Sequence, residues 1–226
     1  MTGGGTPSPV VALTLTGAAL GGQPVLGALR LDIAARETVA ITGPSGIGKT
    51  TLLRILAGLE QRFMGSRVVP GRIAMVFQEP VLLPWRTATD NLCITTGVNA
   101  AGAALALDEV GLGGLGGRYP SELSLGQQRR LALARAFAAR PELLLMDEPF
   151  VSLDAETAQE MMALFAALRA RYPVTSVLVT HSREEAESLA SRILTLGGQP
   201  AAITSDVQNS GAYFQLSASG VTSSRS

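Results

Sequence analysis

One octapeptide constrains this chain more than any other feature: Gly43-Pro44-Ser45-Gly46-Ile47-Gly48-Lys49-Thr50. Lys49 is its only lysine, every other basic side chain being arginine. A chain that otherwise uses arginine throughout places its one ammonium after a glycine-rich turn, where backbone N–H groups and a point charge together cradle phosphate. The flanks suit that reading. Glu37 to Thr42 is patterned as a buried strand and Thr51 to Ala57 as a helix, so the positive end of the helix would face the same anion. Gly43, Pro44, Ser45, Gly46, Ile47 and Gly48 then supply the loop, and Lys49 reaches the β and γ phosphates. Thr50 offers a hydroxyl to magnesium, with Thr51 beside it at the nucleotide. The bland alternative, a glycine-rich turn without a ligand, leaves the strand and the helix unexplained.

The only histidine repeats the pattern. Thr175 to Thr180 is a β-branched run fit for a buried strand, and His181 stands just past its end, where open α/β sheets bind their ligands. A lone histidine there is more often structural, so its weight comes from its company. Leu143-Leu144-Leu145-Met146-Asp147-Glu148 is an apolar strand that ends in two carboxylates. Neighbouring residues point different ways, so Asp147 is read as the metal ligand and Glu148 as the general base.

At 226 residues and 46% hydrophobic content, the chain suits one sizeable α/β domain with a small insertion. Eighteen basic and eighteen acidic residues cancel, which removes the electrostatic footprint of a general nucleic-acid binder. A single cysteine, Cys93, excludes an internal disulfide and suits a reducing compartment, with a small buried apolar role expected for it. The first residues lack the charged and apolar segments of a leader, and no apolar run reaches the ~20 residues that span a bilayer. The expectation is a soluble, cytoplasmic protein, held at a membrane only by a partner.

Along the chain, residues 1–9 are expected to be a flexible N-terminus, 10–204 the folded domain and 205–226 a mobile C-terminal tail. Between the two α/β segments, 87–140 turns rich in Ala, Leu and Gly, which predicts a mainly helical insertion. Within the helix expected from Ala155 to Tyr172, Met161, Leu164, Phe165 and Leu168 share one face and read as core rather than as a cofactor box.

Three further segments fall in order with these motifs: Gln78, Leu123-Ser124-Leu125-Gly126-Gln127 and Ser152-Leu153-Asp154. With them the chain, from about Val10 to Ile203, resembles the nucleotide-binding subunit of an ATP-binding cassette (ABC) transporter. Leu123 to Gln127 resembles the signature motif, Gln78 the Q-loop glutamine, Asp154 part of the D-loop and His181 the switch histidine. The resemblance implies an α/β fold, a P-loop NTPase core of ABC ATPase type with a small antiparallel β lobe and an inserted helical subdomain. It implies ATP and Mg2+ as ligands, with Thr50, Gln78 and Asp147 around the metal and Lys49, Gln78, Glu148 and His181 serving hydrolysis. It also implies a sandwich of two cassettes, in which Ser124, Gly126, Gln127 and Asp154 meet nucleotide across the joint. The implied partners are a second ABC ATPase subunit, identical or paralogous, an integral-membrane permease and, indirectly, an extracytoplasmic solute-binding protein. That places the chain on the inner face of the cell membrane, with no nucleic acid involved.

Chromosome-maintenance cassettes need a long coiled coil between P-loop and signature, and ribosomal ones usually carry two cassettes in one chain; this length fits neither. A module that holds ATP without hydrolysing it would have no use for Glu148 and His181. Met75 to Trp85 and Asp147 to Asp154 are similar to importers of the nitrate, sulfonate and taurine group, and Trp85 is expected to pack against the helical insertion and a permease helix. Three features depart from the family pattern. Leu125 stands where the signature usually has its first glycine. The stretch from Glu60 to Ala74 and the helical insertion are short. Leu20 occupies the position where an aromatic residue commonly stacks on adenine.

Overall fold

The computed structural model describes residues 9–211. From its start the chain forms β1 (Val11–Leu20), β2 (Gln23–Leu26), β3 (Leu29–Ile33), β4 (Thr38–Thr42), α1 (Lys49–Ala57) and β5 (Phe63–Val68). It continues as β6 (Ile73–Val76), α2 (Ala88–Thr96), α3 (Ala100–Glu109), a 3₁₀ turn (Pro120–Glu122), α4 (Leu125–Ala138), β7 (Leu143–Asp147) and α5 (Ala155–Arg171). The last elements are β8 (Thr175–Val179), α6 (Arg183–Leu189), β9 (Arg192–Gly197) and β10 (Ala202–Gln208). Two compact units result: one takes in the chain through Gly71 and again from Val174, and the other is Arg72–Pro173.

In the first unit, ten-residue β1 organises an antiparallel sheet. It pairs with β3 along its first half, with β5 from Ala12 to Ala18 and with β2 at its end. Leu13, Leu15, Leu31 and Ile33 alternate inward from this sheet and are buried, as a half-covered antiparallel sheet requires. Beside it, β4 runs parallel to both β8 and β9, and β10 closes antiparallel on β9. Strand β8 is buried at every residue and β4 at all but Thr42, which explains why both read as uninterrupted apolar or β-branched runs. Leu52, Leu53, Ile55 and Leu56 give α1 its wholly buried face.

The second unit packs helices α2, α3, α4 and α5 with the parallel pair β6 and β7. Leu143 to Met146 are fully buried, as are Leu131 and, nearly so, Phe137 and Phe165, whose rings meet at 6.2 Å between centroids. Met161, Phe165 and Leu168 line the buried face of α5, so the stripe read as core is core; Leu164 is half-buried.

Three expectations need correction. Strand β10 runs past residue 204 to Gln208, and Asn209 donates from its side chain to Glu187 and Ala190 carbonyls, both at 2.7 Å, so the fold continues beyond the expected boundary. Strand β10 pairs antiparallel with β9, and Arg192 reaches across the pair to Asp206. Residues 1–8 and 212–226 lie outside the described residues. Trp85, expected to pack on the helical insertion, is 69% exposed, and Cys93 is half-buried rather than buried.

Candidate active site

In the first unit, Ile41 of β4 lies opposite Val179 of β8, and Thr42 opposite Thr195 of β9. The chain leaves the carboxyl end of β4 as the glycine-rich loop and the same end of β8 as Thr180-His181, with Thr180 N–H donating to the Ile41 carbonyl at 3.2 Å. Thr42 and the exposed His181 line one open groove. The loop and the histidine therefore issue side by side from the strand ends where open α/β sheets take ligands.

The loop is built for close approach. At Gly43, φ is 139°, and a Cβ there would lie 2.5 Å from the Leu196 carbonyl oxygen; at Gly48, φ is 111°, and a Cβ would lie 2.9 Å from the Val25 and Leu26 side chains. Pro44, Ser45 and Gly46 are exposed along the loop, with Ile47 half-buried. Gly48 is the N-cap of α1, which has no side-chain cap and no acid in its first turn. Helices α2, α4, α5 and α6 are capped by the side chains of Thr87, Ser124, Asp154 and Ser182. A helix start without a side-chain cap or an acid favours an anion, and the loop fits a polyphosphate. Lys49, only 5% exposed, donates from Nζ to the Gly43 and Pro44 carbonyls at 2.9 Å each, so its ammonium is folded over the loop. Thr50 is exposed and Thr51 half-buried, while Leu20 ends β1 at 42% exposure.

The second unit repeats the device. Val76 of β6 lies opposite Met146 of β7. Gln78, exposed and two residues past β6, and the half-buried Asp147 and Glu148 therefore leave neighbouring parallel strands at the same end. Of the five non-glycine residues with left-handed φ among the described residues, three lie here, Val81 (φ 41°), Glu148 (φ 46°) and Ser152 (φ 60°); the others are Arg36 and Arg140. Such residues cost about 1–3 kcal/mol each and gather at functional sites. Among the described residues no group of three or more His, Cys, Asp or Glu could hold a metal. Magnesium does not need one, because it commonly takes one or two protein oxygens beside phosphate and water, and hydroxyl, amide and carboxylate are the hard donors it prefers.

The signature segment forms the start of α4. Ser124 Oγ accepts from Gln127 N–H at 3.2 Å, and Gln127 Oε1 accepts from Ser124 N–H at 2.9 Å. Gln127, read as a nucleotide ligand, thus spends its side-chain oxygen on the helix cap. Asp154 does likewise, accepting from Thr157 N–H at 2.9 Å and its hydroxyl at 2.7 Å; these bonds, with the backbone one foremost, hold its carboxyl below the ordinary aspartate value. Around Gly126 a Cβ would meet nothing closer than 3.9 Å, and Leu125 is 48% exposed.

Two polar residues beside these loops escaped the sequence reading. Asn91 is wholly buried; its Oδ1 accepts from Leu83 N–H at 2.8 Å, and its Nδ2 donates to the Leu83, Arg86 and Thr87 carbonyls at 3.0–3.1 Å. Arg135 donates to the carbonyls of Val81 at 2.8 Å and Pro80 at 3.2 Å. The available signal for Arg135 was a charge set inside the apolar run Leu131-Ala132-Leu133-Ala134-Arg135-Ala136-Phe137; Asn91, beside Thr89 and Asp90, stood out by nothing.

Comparison with known proteins agrees with this geometry. The family model described as ABC transporter matches residues 26–151. The aliphatic sulfonates import ATP-binding protein SsuB 1 of Pseudomonas syringae pv. syringae is 40% identical over 201 residues, covering 88% of this chain and 85% of that protein. SsuB 3 of Paraburkholderia xenovorans is 50% identical over 178 residues, covering 78% of this chain and 72% of its own length. A solved ATP-binding cassette, described as a dimer in a post-hydrolysis state bound to ADP and Pi, superposes with a TM-score of 0.76 at 28% identity, over 89% of this chain and 99% of that one. With its glycine-rich loop and paired carboxylates at the ends of parallel strands, the chain belongs to the ABC transporter family, as an ATP-hydrolysing subunit.

Proposed function

We propose that this chain drives an importer of a small oxyanionic solute, of the sulfonate, nitrate or taurine kind, by hydrolysing ATP on the inner face of the membrane. The observation that carries the reading is the placement of motif residues at the carboxyl ends of parallel strands in each unit, together with relatives named as aliphatic sulfonates import proteins. None of the helices among the described residues is long and apolar enough to cross a membrane. In this reading, which rests on the relatives' naming as import ATP-binding proteins, a separate permease passes the solute.

In this reading the N–H groups of Gly43 to Thr51 and the Lys49 ammonium hold the phosphates. Leu20 covers the base. Glu148 accepts the proton of the attacking water, and His181 donates a hydrogen bond to the terminal phosphate. Thr50, Gln78 and Asp147 are the residues that would hold magnesium, which would supply positive charge against the phosphates. Ser124 and Gly126 face the nucleotide of a second cassette, a copy of this chain or a paralogue, with Gln127 and Asp154 supporting them as caps. A solute-binding protein delivers cargo to the permease from outside.

Glu148→Gln tests the assignment of the base. Steady-state turnover should fall by about 10²–10⁴, the usual contribution of a general base, while ATP binding and an ATP-loaded dimer on size exclusion persist. Uptake of an aliphatic sulfonate into vesicles carrying the chain with its permease tests the cargo. Normal turnover in the variant, or uptake independent of sulfonate, removes the corresponding part.

A further inference from the structure

The segment after Gln78 is fixed at two places by side chains that belong to none of the sequence motifs. Arg135 of α4 holds the Pro80 and Val81 carbonyls, and buried Asn91 of α2 holds Leu83 through Thr87. Strand β6 ends at Val76. Only Phe77, Gln78 and Glu79 therefore lie between the end of a strand and the first clamped residue. Val81, a β-branched residue with φ of 41°, adopts a conformation that persists only when its surroundings over-determine it, and the Arg135 bond to its carbonyl is one such restraint. The Arg135 guanidinium is partly withdrawn from water, which lowers its pKa, and its two bonds to the carbonyls are charge-assisted.

The same helix begins with the Ser124 and Gln127 capping box. Eleven residues separate Ser124 from Arg135, about 16 Å along a helix axis. We propose that Arg135 is a positioning residue for Gln78, making α4 a rigid strut that ties the segment carrying Gln78 to the signature turn. This rests on the reading of Gln78 as a ligand of the magnesium-bound nucleotide. Arg130, on the same helix, serves as a contrast: it donates to the Val110 carbonyl and to Glu160, away from this segment.

The test is a double-mutant cycle on the full chain, reading kcat, the KM for ATP and the magnesium concentration at half-maximal rate. Arg135→Ala should lower kcat about tenfold and raise the magnesium requirement, with the KM for ATP within about twofold of wild type. Arg135→Lys should recover part of the rate, and Arg130→Ala should leave the magnesium requirement unchanged. Combining Arg135→Ala with Gln78→Ala should be no slower than Gln78→Ala alone, because both act through one group. Should Arg135→Ala fail to fold, Arg135→Gln, which retains one donor pair, replaces it in the cycle. Multiplying effects in the double variant, or an unchanged magnesium requirement in Arg135→Ala, overturns the proposal. Wild-type rate and magnesium dependence in Gln78→Ala would instead remove the reading of Gln78, and the strut with it.

Discussion

Ser124 and Gln127 cap each other at the start of α4, each side-chain oxygen accepting from the other residue's backbone N–H, at 3.2 and 2.9 Å. This reciprocal bond makes the signature segment a stable helix start before any nucleotide or partner arrives. It also separates two roles that sequence alone merges. Ser124 Oγ keeps an O–H to donate from the turn itself, whereas Gln127, three residues further on and with its amide oxygen held by the cap, keeps only its Nε2 N–H groups.

Ser124→Ala and Gln127→Ala should therefore differ in activity more than in stability. Loss of either half of a capping box costs about 1 kcal/mol, and both variants should show a similar small drop in thermal midpoint. Turnover at saturating ATP should fall much further in Ser124→Ala. Equal turnover in the two, measured beside thermal melts, would reduce this serine to a cap.

Acid stability should depend on the clasp between β9 and β10. Arg192 donates to both Asp206 oxygens, at 2.7 and 2.6 Å, and this bonding holds the Asp206 carboxyl below the ordinary aspartate value of 3.8. A depressed folded pKa gives stability that is complete above 3.8 and lost as pH falls through the lower folded value. Asp206 is 43% exposed, so screening limits the effect to about 1 kcal/mol or less. Asp206→Asn should lower the melting temperature at pH 7 slightly and flatten its dependence on pH below 4. An unchanged profile would assign the hold on β10 to backbone pairing alone.

The legibility of this chain divides by the physics of each feature. Strands β4, β7 and β8 were readable because burial on both faces leaves only apolar and β-branched residues, and each carries chemistry at its carboxyl end: the glycine-rich loop after β4, Asp147-Glu148 at the end of β7 and His181 just past β8. The motif order carried the family. Strand β10 was not readable: Ser205-Asp206-Val207-Gln208 is exposed and mostly polar, and it pairs with β9, whose Arg192 stands 14 residues before Asp206. The clamps made by Asn91 and Arg135 were hidden because their partners are main-chain groups, which leave no mark on the sequence of the loop they hold.

Leu125 is half exposed at the first position of α4, so the side chain the family pattern would omit is not spent on this unit's core. Leu125→Gly should cost about 1 kcal/mol or less in stability, since glycine is poor in helices but least costly near their ends. If the leucine hinders closure on a second cassette, the variant will dimerise at lower ATP concentration and turn over faster. Slower turnover with unchanged fold would show instead that the leucine packs against the partner. Analytical ultracentrifugation across an ATP series, with ATPase rates on the same samples, separates the two.

The base of the nucleotide is the last point at which the chain departs from its family. Leu20 ends β1 in an exposed position, an aliphatic side chain where a stacking ring is common. Stacking of a base on an aromatic ring is worth about 1–3 kcal/mol, and about 1.4 kcal/mol is tenfold in affinity, so ATP should bind about ten times more weakly than to a stacked site. With the loop's phosphate contacts dominant, GTP should compete within about an order of magnitude of ATP, and Leu20→Tyr should tighten both. Calorimetry on wild type and variant decides it. A strong preference for ATP that survives changing Leu20 would point to another reader of adenine. Phe63 is the ring to examine then: it pairs with Ala18 across β1 and β5 and lines, with Gly17, Gly21 and Gly22, an open pocket along the end of β1. Phe63→Leu should abolish that preference if the base lies there, and leave it intact if Leu20 and the phosphates account for all of the binding.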